Sequence, residues 1–301
     1  MTRAAELAGG RIDDGLFGPG SVTWKVHSNP VMLVGGLRAL LIQALHPLAM
    51  AGVTQFSDYR SDPLRRLRGT SAYVHTVTFG DTGAAREAAA RVKRLHGRVK
   101  GVDRVTGRSF SAKDPDTLLW VHCVEIHSFL AAYRAYGGRL SESQQDRYLA
   151  EQVATAELME IPTAMIPDSL AAYRAYFAEV RPSLRSSEDA AATIAFVRRP
   201  RLLGSRLAAL EPAFCVLGLA ATALVPSSLR SIAGLPGRVP LALPAAAGVM
   251  LTARAMIASR QVPWLGDQIE TQVRGVLGVG PLPAELQQLS PRPKHADAYI
   301  D

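Results

Sequence analysis

Residues Val31–Val53, VMLVGGLRALLIQALHPLAMAGV, decide how this chain is read. The run carries one charge, Arg38, and is apolar on nearly every face of a helical repeat, which places a helix at a domain centre. Pro47 has no amide hydrogen to donate and disfavours helical geometry at the residue before it. The helix is therefore predicted to kink or stop around His46, leaving an imidazole at a break in a buried helix.

Outward from this run, the signals are helical. Asp62-Pro63 is a cap followed by a proline at the first helical position, opening a segment to about Thr78. Asp81 or Thr82 caps the next helix, expected from about Gly83 to Val99, with an apolar stripe through Ala85, Ala88, Ala89, Val92, Leu95, His96 and Val99. His96 is thus predicted to point inward, and Arg91, Arg94 and Arg98 mainly outward. Residues 100–113 read as an irregular loop or small hairpin. Asp114-Pro115 repeats the cap signature and starts a helix ended by Gly137-Gly138, on which Leu118, Leu119, His122, Ile126, Phe129 and Tyr133 form one stripe. Ser141 with Gln144 is a capping-box pattern for a helix to about Glu160, and further helices are expected near 168–180, 187–198, 206–224 and 243–260.

Composition agrees. Only 19 of 301 residues are aromatic, hydrophobic residues make up 48%, and Ala and Leu recur throughout, so the fold class is all-α: a single large helical domain over 15–260, an N-terminal tail at 1–14, and a C-terminal extension at 261–301, Pro-rich from about 281. Two cysteines, Cys123 and Cys215, without C-x-x-C spacing support neither a structural zinc site nor a disulfide framework. The net charge of +8 comes from 34 basic and 26 acidic residues, all but five of the basic ones arginine. No nucleic-acid-binding motif accompanies that charge, so nucleic acid is not the expected partner. The charge-poor stretches Ala39–Ser57 and Pro212–Leu229 are interrupted or bounded by proline and fall short of a membrane span; peripheral membrane contact through the second stays open. The N-terminal residues lack the apolar run of a secretory signal, and the expected location is cytoplasmic.

Three inward histidines, His46, His96 and His122, lie on three predicted helices. Each alone reads best as a packed residue with satisfied nitrogens, but together they point to a shared ligand, metal or polar network. A di-iron bundle requires Glu-x-x-His on two helices, and the sequence has none. A mononuclear site from His96, His122 and Glu125 fits the ligand types, and so does haem held by one inward histidine between apolar helices with basic residues at its propionates. C-x-x-C-H is absent, so a haem would be held non-covalently. Neither G-x-S-x-G, nor a P-loop, nor G-x-G-x-x-G after a strand occurs.

The blocks RALLIQALHPLAMAGV, SDPLRRLRGTSAYVHTVTFG, RVKRLHGRVKG and DPDTLLWVHCVEIHSFLAAYRAYG, in this order, resemble the MpaB-like and latex-clearing (rubber oxygenase) catalytic-domain family over about residues 15–260. The resemblance implies an all-helical fold with distantly globin-like packing around a haem b pocket and, in characterised members, oxidative cleavage of isoprenoid double bonds by O2. It assigns the iron to His122, puts His96 near the other haem face, and makes His46 a pocket residue. Rubber oxygenases also use a distal arginine and lysine, for which Arg91, Lys93, Arg94 and Lys100 compete; the stripe favours Arg91, and Arg94 is the weaker haem contact. The chain departs from the rubber-degrading members in lacking an export signal, and it reads Gln55-Phe-Ser-Asp-Tyr where many relatives have a histidine before the serine. The expected function is a haem b-dependent oxygenase acting with O2 on an isoprenoid- or lipid-like hydrophobic small molecule, with His96 and Arg91 orienting or protonating bound oxygen. The rival is a non-catalytic haem- or lipid-binding helical protein. Oligomeric state is not legible in the sequence.

Overall fold

The computed structural model describes residues 11–57, 63–200, 211–239, 241–259, 271, 274–275, 278–280 and 282–283. Residues 1–10, the Asp62 cap, residues 206–210 of the helix expected near 206–224 and the chain from 284 onward lie outside the described residues.

The described chain is mostly α-helical, with one small sheet. In order come α1 (Val22–His27), α2 (Met32–Gln43), α3 (Pro47–Phe56), α4 (Pro63–Phe79), α5 (Thr82–His96), strands β1 (Lys100–Val102) and β2 (Ser109–Ser111), then α6 (Pro115–Ala132). After α6 follow α7 (Glu142–Glu151), α8 (Val153–Leu158), α9 (Leu170–Val180), α10 (Glu188–Arg198), α11 (Glu211–Ala223), α12 (Ser227–Arg230) and α13 (Ala242–Ser259). The expected 100–113 hairpin forms, antiparallel, with Gly101 opposite Phe110.

Local chemistry sets these boundaries. The opening apolar run splits at the expected place: α2 ends at Gln43, His46 is extended, and α3 leaves at 105° to α2. Asp114 accepts from the amides of Asp116 and Thr117 to start α6, which runs on through a single π-turn at Tyr133–Gly137. The Ser141/Gln144 capping box forms, but the helix expected to run to Glu160 breaks at Gln152 into α7 and α8. Helix α5 stops at Gly97, earlier than expected, because the chain turns there into the hairpin.

Helix α6 is the central element. Leu119, Trp120, Cys123, Val124, Ile126, Phe129 and Leu130 bury sides facing several directions, in two core clusters. Helix α2 packs along it so closely that a Cβ on Gly35 would sit 2.8 Å from Phe129 Cδ1 and 3.1 Å from the Ser128 carbonyl oxygen. Arg38, buried on α2, spans to both neighbours: its Nε donates to the Leu224 carbonyl at 2.9 Å and its Nη1 to Ser128 Oγ at 2.6 Å. Burial lowers its pKa to about 10, so it stays charged at neutral pH and serves as a hydrogen-bond hub. On the other side Glu151 of α7 accepts from the Val22 and Thr23 amides, satisfying the open N-terminus of α1. Of the expected N-terminal tail, Asp13 accepts from the Thr82 amide at 2.8 Å and Arg11 stacks over Trp24, tying these residues to the domain.

Among the described residues no single helix is long and apolar enough to cross a membrane. Helices α2 and α3 pass that test only as a bent pair, and Val34, Leu41, Ile42 and Met50 among their apolar residues are core.

Candidate active site

A cavity of about 630 Å3 opens between α2, α3, α4 and α6 and extends towards α10 and α11. Its size is that of pockets holding small organic ligands. Leu33, Leu37 and Leu40 of α2, Val53 and Phe56 of α3, and Val121 and Phe129 of α6 make its walls apolar, and Phe196 and Phe214 extend that character at the far side. Phe56 and Leu95 line the cavity yet are 48% and 62% exposed, which marks its mouth at the ends of α3 and α5.

Polar groups interrupt this lining at several places, among them Asn29, Gln43, Thr70, Ser71 and His75. His27 is another, and it is fully engaged: Nδ1 hydrogen-bonds with Thr78 Oγ1 at 2.9 Å and Nε2 with Tyr148 Oη at 2.8 Å. Burial lowers its pKa to about 3, so the ring is neutral. Glu125, on α6 beside this pair, differs. Its side chain lines the cavity and makes no hydrogen bond among the described residues. Burial raises its pKa to about 7. Behind it the Tyr73 hydroxyl is buried without a partner, its pKa raised first by burial and then by the Glu125 carboxyl. Arg66 and Arg274 are the cations on the described wall.

The expected site residues divide. His96 lies on the cavity wall with Nδ1 buried and unpartnered, and burial, then Arg66, lowers its pKa. His122 is not on the wall; its Nε2 is buried without a partner and burial lowers its pKa to about 4. Helix α6 presents Leu118, Val121, Glu125 and Phe129 to the cavity instead. His46 is not on the wall either: Nδ1 accepts from the Ala49 amide at 3.3 Å, capping α3, and the ring stacks on Trp120. Arg91 pairs on the surface with Glu87 at 2.7 Å, Lys93 pairs with Glu160 at 2.7 Å, and Arg94 is exposed. No three of His, Cys, Asp or Glu converge as a metal-binding group among the described residues, so His96, His122 and Glu125 do not form the mononuclear set. Both cysteines are free thiols, Cys123 buried.

Sequence reasoning named Glu125 only as a companion of His122 and overlooked His27 and Tyr73. For Glu125 the signal was present: it is the one acidic residue in α6 beyond its first turn, in an otherwise apolar central helix.

Residues 24–258 match the family model described as the ER-bound oxygenase mpaB/B'/rubber oxygenase catalytic domain. The chain belongs to this family. No curated protein and no solved structure shows significant similarity to it. The matched region of the mpaB/rubber oxygenase domain includes all of α2 to α6, and so every helix that builds the main body of the cavity.

Proposed function

We propose that this chain is an oxygenase that uses O2 on an isoprenoid- or lipid-like small molecule held in the cavity, with haem b as its redox group. The observation that carries the reading is the cavity itself: a large apolar chamber built within the residues matched to the oxygenase catalytic domain. Its residues suit haem. The walls are apolar, the His96 imidazole on the wall makes no hydrogen bond among the described residues, and Arg66 and Arg274 offer positive charge of the kind propionates take. The resemblance assigns the iron to His122, whereas the wall offers His96; single variants of the two separate these ligands. When bound, haem supplies the oxygen chemistry. The chain supplies the rest: Leu33, Leu37 and Val121 exclude water and hold an apolar body, and Phe56 and Leu95 line its way in. Arg91 and Arg94 stay proposed haem or oxygen contacts from the resemblance alone, since both lie on the outer side of α5.

Oxygen uptake tests the reading. Haem-loaded protein should consume O2 on addition of an unsaturated isoprenoid or acyl chain, and isotopically labelled O2 should leave its label in the product. Haem binding without substrate-dependent uptake would instead identify a haem carrier.

A further inference from the structure

Glu125 has no function in the fold that its surroundings reveal. It sits mid-way along α6, between Val121 and Phe129 on the cavity wall, and its carboxyl makes no hydrogen bond among the described residues. Burial is the influence that raises its pKa. A carboxyl without a protein partner on an apolar wall is unfavourable, and a purely structural position would carry leucine or valine instead. The neighbouring polar groups do not relieve it. His27 spends both nitrogens on Thr78 and Tyr148, and the Tyr73 hydroxyl is itself buried without a partner. The open hydrogen-bonding capacity therefore faces the cavity.

We infer that Glu125 is the polar anchor of the cavity, and that its ligand is an amphiphile: a long apolar body with one uncharged oxygen end group, a hydroxyl or carbonyl, hydrogen-bonded to Glu125. A carboxyl can accept a hydrogen bond from a hydroxyl in either protonation state, and its protonated form also donates. At Glu125 a ligand carboxylate would meet another carboxyl, and a ligand ammonium would have to shed its water in an apolar chamber for a single partner. The apolar walls between Glu125 and the mouth accept the hydrocarbon body. This inference rests on the cavity as the substrate site, and is independent of haem.

The test is displacement of a neutral fluorescent apolar probe, N-phenylnaphthylamine, from the full-length protein by dodecanol, chlorododecane, dodecylamine and laurate. Wild-type protein should bind dodecanol about tenfold more tightly than chlorododecane, the worth of one well-made buried hydrogen bond. Glu125→Leu should reduce that preference to about threefold or less, with an unchanged helical circular-dichroism spectrum reporting an intact fold, and Glu125→Gln should keep most of it. An undiminished alcohol preference in Glu125→Leu, or dodecylamine outcompeting dodecanol in the wild type, overturns the anchor. Equal binding of alcohol and chloroalkane by wild type removes the anchor but leaves the apolar substrate reading standing. No displacement by any of the four compounds removes both.

Discussion

At the residue scale, protonation separates the groups around the cavity. His27 on the cavity wall and His127, a residue of α6 off that wall, are held at about 3, chiefly by burial, against an ordinary value of 6.5, so in cofactor-free protein the unfolded chain binds more protons at both between these values. Their contribution is fully present above about pH 6.5 and is lost as pH falls through the folded values. Glu125 acts in the opposite sense: raised to about 7 from 4.5, it contributes stability that is present below pH 4.5 and lost as pH rises through 7. Urea denaturation across this range should show wild-type stability rising from about pH 4.5 to 6.5, and Glu125→Gln gaining on wild type between about pH 4.5 and 7 and keeping that gain above it. A variant profile parallel to that of wild type would mean that Glu125 is ionised in the fold. The reason Glu125 was hard to read from sequence is physical. Helix α6 is apolar on nearly all sides, so a single stripe through His122 did not identify which face meets the cavity; that depended on how α2 docks at Gly35.

At the element scale, capping explains what the sequence showed and what it hid. Pro47, Asp114-Pro115 and the Ser141/Gln144 pair mark their helix starts because each acts on amides within a few residues of itself. His46 turned out to use the same local chemistry, which a reading centred on cofactors overlooked. His46→Ala should cost about 1 kcal/mol of stability and leave ligand and haem binding unchanged; loss of haem would return His46 to the pocket. Glu151 caps α1 from α7 across a long sequence separation, and no local pattern announces it. Glu151→Ala should cost about 2 kcal/mol in chemical denaturation, since it strands two helix-start amides; a change within experimental error would show that water replaces the carboxylate. The break at Gln152 was also hidden, because the Gln152 side chain leaves the helix surface to reach Thr23 Oγ1 of α1 at 2.9 Å.

Across the whole molecule, α2 and α6 form the frame on which the cavity depends. A Cβ at Gly35 would press on Phe129 and the Ser128 carbonyl, and Phe129 is also a wall residue. Gly35→Ala should therefore destabilise the fold by about 1–3 kcal/mol and weaken apolar probe binding together, whereas destabilisation with unchanged binding would uncouple the frame from the cavity. The all-α class and the order of helices were legible because caps and composition are local; the cavity was not, because its walls come from helices distant in sequence. The most direct test of the central claim is the absorption spectrum of protein produced with a haem precursor, oxidised, reduced and CO-bound, in wild type, His96→Ala and His122→Ala. A stoichiometric Soret band with a CO shift in wild type, abolished in one of the two variants, is the result expected of a haem-dependent oxygenase and names its iron ligand. A wild-type protein with no Soret band even after hemin is added would contradict it.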